Sequence, residues 1–359
     1  MSFPRNLVSV GEEAVVTGVG IIGAGPGVAA LHMPTVARLG RRFDVVHVSD
    51  AGSGRARALA QRAGAAWSHG VDDLLADPGV EVVVVASPPH RHAEQVLSAI
   101  AAGKRAILCE KPLALTHAET DAVVDAAQAA GVALVVGTNH LFDPAWGSAR
   151  HHVAAGGRIR TVSVTAALPP NIRYHELVTE PAPIAASRPA RDLTDRHVRA
   201  GIMRQLVLGL LIHDLPLVRD LAPHEPEVVF ARLVPAPIGC AIGLRAGEVL
   251  VQLTAALLPA GAEAQWRMTV GTTTDQFEID FPPSFVHGGS ARVRAYGDGT
   301  RETVYAAHPE DGYLAEWRAL ASAIDGQAPV DHEDLRADAH FAIDIADDAA
   351  AAILAGASA

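Results

Sequence analysis

The chain has 359 residues, of which 49% are hydrophobic, 19% charged and only 4% aromatic. That is enough apolar material for two cores, which aliphatic side chains must fill. A formal net charge of −11 argues against nucleic acid or an anionic membrane as partners. Cys109 and Cys240 fit no metal spacing and read as small buried thiols of a reducing compartment. No metal site is expected. The opening residues MSFPRNLVSVGEEA contain no signal-peptide core. No apolar run reaches spanning length without Gly or polar breaks, so a cytoplasmic location is expected.

From Val15 to Val136 apolar segments alternate with helical ones. Residues 15–22 read as a strand, followed by the Gly-rich GAGPG and an apolar-periodic stretch to Leu39. Residues 45–48 form a second strand ending at Asp50, and 53–62 look helical. Residues 80–86, VEVVVVA, are a β-branched run of the kind buried on both faces of a parallel sheet. Residues 92–102 are helical, 106–109 a short strand, 116–130 helical and 133–136 another strand. Strand alternating with helix predicts βαβ units and a doubly wound parallel sheet of the Rossmann type.

The Gly-rich turn follows the first strand directly. Gly23 and Gly25 have G-x-G spacing: Gly23 for the tight turn, Gly25 for close approach of a pyrophosphate to the backbone. Val28 occupies the third glycine position, so the fingerprint is incomplete unless a longer turn brings in Gly27; Pro26 lies inside it. Asp50 is placed to accept from an adenosine ribose, which favours NAD; the competing reading is an N-cap for the next helix. Ser53 and Arg55 just beyond leave NADP open. The loop ASPPHRH puts Ser87, Pro88 and His92 at the carboxyl end of a strand, where cofactors bind in such folds. For the histidines there, a capping or surface role competes with ligand contact.

Only two lysines occur, Lys104 and Lys111. Lys104, in AAGKRA, reads as a solvated turn after a helix. Lys111 ends a buried strand and precedes Pro112, which places its amine at the carboxyl edge of the sheet. Unlike arginine, a lysine is compact and able to lose its proton. A catalytic or substrate-orienting role is expected, against an ion pair with Glu110.

At VGIIGAGPG, at LLADPGVEVVVVASPPHRHAEQVLSAIAAGKRAILCEKPLALT and at VVGTNHLFDPAW the chain resembles the Gfo/Idh/MocA oxidoreductases, named for glucose–fructose oxidoreductase, inositol dehydrogenase and a rhizopine-catabolism protein. EKP at 110–112 is the most specific of these marks. The strong match covers about residues 15–146. The resemblance implies that Lys111 hydrogen-bonds the reacting hydroxyl or carbonyl oxygen, with Glu110 beside it, and that Asn139 lines the nicotinamide side. Leu141 stands where the family often has Arg. The resemblance also implies a dinucleotide-binding domain over residues 1–142. Residues 143–359 would then form an α/β substrate-binding and oligomerisation domain that packs as a homodimer or homotetramer.

Beyond Pro144, residues 158–168 read as a strand, 169–200 as a long Pro- and charge-rich loop, and 204–221 as one apolar helix. Strands follow at 228–234, 241–246, 249–258, 265–271, 277–281 and 291–297, with helices at 312–325 and 333–354. Consecutive strands without crossover helices predict a mostly antiparallel open sheet. His213, on the apolar helix, reads by itself as a core histidine. It matches the family's Asp-x-x-x-His, whose histidine is the general acid/base. Gly209 replaces the Asp, which at i−4 would share a helix face with the imidazole. Asp214 points about 100° away along such a helix. Three readings stay open: the substrate supplies a polar group, Asp192 or Asp195 reaches the site from the loop, or the protein binds without turnover.

The function expected is NAD-dependent oxidoreduction, with NADP open, at a secondary alcohol or ketone of a sugar, sugar derivative or cyclitol. Lys111 would polarise the oxygen and His213 move the proton. The competing reading is a catalytically silent, nucleotide-dependent ligand-binding or sensor protein.

Overall fold

The computed structural model describes residues 16–171, 191–235, 237–297 and 299–356. In chain order the first half runs β1 (Thr17–Ile22), a wide helical turn (Val28–His32), α1 (Met33–Leu39), β2 (Phe43–Asp50), α2 (Arg55–Ala63), β3 (Ala66–His69) and α3 (Asp72–Ala76). It continues with β4 (Val82–Val85), α4 (His92–Ala101), β5 (Ala106–Glu110), α5 (His117–Ala130) and β6 (Ala133–Gly137). The strands form one sheet in the order β3-β2-β1-β4-β5-β6, every pair parallel. All four valines of β4 are fully buried, because helices cover both faces of a parallel sheet. β3 and α3 were not expected; AWSH is short and mostly exposed and carries no apolar run to betray it.

The second half begins with α6 (Pro144–Ala155) and β7 (Ile159–Leu168). Then come α7 (Arg196–Gly209), a 3₁₀ turn (Leu211–His213), α8 (Leu215–Leu221), β8 (Glu227–Pro235), β9 (Ile238–Ala246), β10 (Val249–Leu257) and β11 (Gln265–Thr272). β12 (Asp275–Asp280), β13 (Arg292–Gly297), β14 (Arg301–Val304), α9 (Gly312–Ile324) and α10 (His332–Ala355) complete it. The eight strands run β14-β13-β12-β11-β7-β10-β9-β8. Only β7 and β10 pair in parallel; the other neighbours are antiparallel. One face packs on α6, α7, α8 and α10 around Trp266, Met203 and Leu215. α9 behaves differently: its Trp317 and Leu320, fully buried, pack into the core of the first sheet beside Phe43 and Val135.

Two expectations are corrected here. Residues 169–200 are not all loop: α7 starts at Arg196, with Asp195 accepting from the His197 N–H at 2.8 Å as its N-cap. Residues 172–190 lie outside the described part. Nor is 204–221 one helix. α7 ends at Gly209 and α8 leaves it at 72°. Pro216 in the first turn of α8 lacks the N–H that would continue the ladder to Ile212, and its ring would collide with that turn. Among the described residues no single helix is long and apolar enough to cross a membrane.

Candidate active site

Strand order reverses direction at β1 and β4, and at such a switch point the loops diverge and open a crevice at the strands' carboxyl ends. A cleft of about 280 Å³ lies there. Gly25, Gly27, Glu110, Lys111 and His213 line it together. His32, Leu168, Asn171, Phe285 and Tyr313 also line it, and none of these was singled out in the sequence. His32 sits in an apolar helical stretch, and the others come from segments without a motif.

The Gly-rich turn fits a dinucleotide diphosphate. Gly23 has φ +110°, and a Cβ there would run into the Ala86 carbonyl just past the end of β4, so only glycine lets the turn approach this chain segment. Cβ atoms on Gly25 or Gly27 would meet nothing within 4 Å. They face open cleft at the amino end of the helical stretch, where backbone N–H groups and the helix dipole favour an anion. Pro26 sits between them in that first turn.

Lys111 is carried by the end of β5 and the cis Lys111–Pro112 peptide. Its Nζ donates to the Gly209 carbonyl at 2.6 Å. That carbonyl is free because α7 stops there: a terminal C=O lacks a partner further along the helix, and a cation satisfies both it and the dipole. Burial lowers the Lys111 amine below its ordinary value, and the Glu110 charge opposes this only in part. Glu110 accepts from His32 Nε2 at 2.9 Å and from the Lys111 backbone N–H at 3.2 Å. Burial works against the Glu110 carboxylate, but the His32 hydrogen bond and the nearby positive charges outweigh it and hold the group below its ordinary value.

His213 lies on the corner between α7 and α8, so it does not share a helix face with Gly209, and the expected i, i+4 relation does not arise. The imidazole is 3% exposed. Its Nδ1 donates to Asn139 Oδ1 at 2.6 Å, which leaves the lone pair on Nε2. Burial, then the Lys111 and His140 charges, hold it well below its ordinary value, so it is neutral near pH 7. Asn139 is thus placed behind His213. A Cβ on Gly312 would overlap the Asn139 carbonyl, so this glycine lets α9 press Asn139 into position.

Asp214 is fully buried, not a spare carboxylate pointing elsewhere. It accepts from His140 Nδ1 at 2.9 Å and Trp266 Nε1 at 2.7 Å, and His140 stacks on Phe281 with ring centroids 3.9 Å apart. These bonds pin the corner that carries His213. Asp192 and Asp195 do not reach it. They serve the Thr194 amide and hydroxyl and the His197 amide at the far end of α7, about 21 Å from Gly209 for a helix of 14 residues.

Of the expected cofactor residues, Asp50, Ser87, Pro88 and His92 lie outside the cleft lining, as do Gly23, Pro26 and Asn139. Asp50 accepts from the amides of Gly52 (2.7 Å) and Ala56 (3.1 Å) and from the Ser53 hydroxyl, which ties the loop after β2 to the first turn of α2, whose N-cap is Gly54. Burial is outweighed by these bonds, and the carboxyl is held below its ordinary value. His92 is 1% exposed. Its Nδ1 lies 2.7 Å from the Pro112 carbonyl and its Nε2 2.8 Å from that of Ser87. It ties the β4 loop to the EKP turn and faces neither solvent nor cleft. The Ser87 hydroxyl donates to Gln95 Oε1 at 2.6 Å, and Pro88 is exposed beside it.

Comparisons with known proteins agree with the fold. Residues 17–138 match the model of the Gfo/Idh/MocA oxidoreductases, described as an oxidoreductase family with an NAD-binding Rossmann fold. An inositol 2-dehydrogenase of Saccharopolyspora erythraea is 40% identical over 38% of this chain and 41% of its own length. A myo-inositol 2-dehydrogenase of Thermotoga maritima is 27% identical over 82% of this chain and 79% of its own. This chain therefore spans under half the length of the first relative and about four-fifths of the second. A UDP-N-acetylglucosamine 3-dehydrogenase from Acidithiobacillus ferrooxidans shares the fold, with a TM-score of 0.72, 22% identity and coverage of 94% of this chain and 99% of its own. Residues 17–138 thus carry the NAD-binding Rossmann domain of the Gfo/Idh/MocA oxidoreductase family.

Proposed function

We propose that the protein is an NAD(P)-dependent oxidoreductase that interconverts a secondary alcohol and its ketone on a sugar, sugar derivative or cyclitol. The observation that carries this is the convergence of three features on one cleft: a glycine turn open to a diphosphate, a half-buried lysine amine, and a neutral histidine with its lone pair on Nε2. The dinucleotide, when bound at Gly23, Gly25 and Gly27, supplies the hydride acceptor or donor. Lys111 Nζ donates to the reacting oxygen, exchanging its bond to the Gly209 carbonyl for one to substrate. His213 Nε2 takes the hydroxyl proton in oxidation and returns it in reduction, while Asn139 holds the ring in the right tautomer. Glu110 and His32 hold the turn from behind. The inositol dehydrogenases among the relatives support a polyol substrate.

An ionised Asp50 at the end of β2 disfavours a 2′-phosphate, so NAD is the preferred cofactor. The division at residues 142/143, a cytoplasmic location and a homodimer or homotetramer belong to the same reading. The outer face of the second sheet, with Leu250 60% exposed and Tyr296 36% exposed, supports self-association.

The test is nicotinamide absorbance against time with each cofactor and a panel of sugars, sugar acids, inositols and their ketones. A signal with one class and NAD is expected. Silence across the panel, from protein that binds NADH, would sink the oxidoreductase reading.

A further inference from the structure

Gly209 is shared by the linings of two cavities. This residue borders the cleft on one side and, on the other, a second hollow of about 380 Å³. A Cβ on Gly209 would meet nothing within 4 Å, and the same holds for Gly201. Gly201, Gln205, Leu208 and Gly209 fall at i, i+4, i+7 and i+8 on α7, one face of the helix. That face is the inner wall of the hollow. Pro89 and Leu115 form the wall opposite, so the helix with its missing side chains faces the β4 loop and the segment after EKP across the hollow.

The walls carry a chemical preference. Pro89, Leu115 and Leu208 are apolar, and the polar groups sit at the rim: the exposed His90, and Gln205, whose Oε1 already accepts from Arg191 Nη1 at 3.0 Å. Arg204, the guanidinium in the wall, is already engaged: its Nε donates to Asp347 at 2.6 Å and its Nη2 to the Leu115 carbonyl at 2.5 Å. Such a surface does not recognise a phosphate. The hollow exceeds the roughly 150 Å³ of an apolar cavity that accommodates benzene. Cleft and hollow taken together fall within the roughly 300–1,000 Å³ range of small-molecule sites.

We propose that the substrate is a polyol ring bearing an uncharged, ring-sized, largely apolar substituent, of the aryl or alkyl glycoside class. The polyol meets Lys111 and His213 in the cleft, and its substituent passes over Gly209 into the hollow. This rests on the oxidoreductase reading above for what happens in the cleft. Gly209 is the specificity-determining position, because any side chain there would stand in the passage.

The experiment titrates the protein loaded with NADH, following nicotinamide fluorescence, with the phenyl glycosides of D-glucose, D-galactose and D-xylose, each against its free sugar. At least one phenyl glycoside is expected to bind about tenfold more tightly than its sugar, the scale of a modest apolar contact. Gly201→Leu, which fills the hollow and improves helix propensity, should abolish that preference without lowering the melting temperature and with NADH affinity unchanged. Equal binding of glycoside and sugar in the wild type would overturn the proposal. A Gly201→Leu protein with weakened NADH binding would overturn it too, because the hollow would then belong to the cofactor. Selective glycoside binding without turnover of any sugar, inositol or glycoside would instead sink the oxidoreductase reading and uphold this one.

Discussion

Both lysines of this chain end on main-chain carbonyls. Lys104 is not solvated as its turn suggests. It is 6% exposed and donates to the carbonyls of Val80 at 2.8 Å and Asp77 at 3.1 Å. Lys111 donates to Gly209 at the end of a helix. A compact ammonium fits such sites, and a planar guanidinium fork does not. The difference between the two is what lies beyond the carbonyl: a closed strand end for Lys104, an open cleft for Lys111. Lys111→Arg is therefore expected to cut turnover by about 10²–10⁴-fold while NADH affinity stays within a factor of about two. Steady-state kinetics and fluorescence titration read the two effects, and normal turnover in the variant would remove Lys111 from the chemistry.

At the scale of elements, the break between α7 and α8 organises the site. Pro216 ends the hydrogen-bond ladder, Asp214 is drawn into the core by His140 and Trp266, and the corner presents both the Gly209 carbonyl and the His213 ring. The start of α9 supplies the other half, since Gly312 lies against the Asn139 backbone. Gly312→Ala should push these elements apart and destabilise the fold by about 1–3 kcal/mol, the range for overpacking a tight contact. The denaturation midpoint in urea should fall at constant slope, and turnover should drop as Asn139 loses its hold on His213. An unchanged midpoint would mean that the contact is not tight.

At the scale of the whole molecule, α9 comes from the second half of the chain but packs on the first sheet, so the two halves share a core. Glu316 lies on its buried side, fully inaccessible, and neither carboxyl oxygen has a hydrogen-bond partner among the described residues. Burial, then the charges of Glu110 and Asp311, push its pKa well above the ordinary 4.5. Above pH 4.5 the unfolded chain therefore releases a proton that the folded chain keeps, and this group lowers stability as pH rises towards its folded pKa. The slope is at most about 1.4 kcal/mol per pH unit. Glu316→Gln removes the titration. Its stability relative to wild type should improve between pH 5 and pH 8, measured by urea midpoints at both, and a constant difference would show that Glu316 is not held neutral.

How much of this was legible beforehand follows from the range of the interactions. The alternation of β-branched runs with helical stretches, the GAGPG turn and EKP are local patterns. They determined the parallel sheet, the tight glycine turn after β1 and the place of Lys111 at the sheet edge, because strand burial, turn geometry and Pro112 act within a few residues. The antiparallel character of the second sheet was legible for the same reason, and Pro216 was a local sign of the helix break. The rest required distant segments to meet. Asn139 on His213, Gly209 on Lys111, Glu110 on His32 and Gly312 on Asn139 join residues 74, 98, 78 and 173 positions apart. No periodicity encodes which buried polar group will find which partner. Only the packed structure decided that Asp214 serves the core, that His92 ties two loops together, and that Gly209 borders a second hollow beside the cleft.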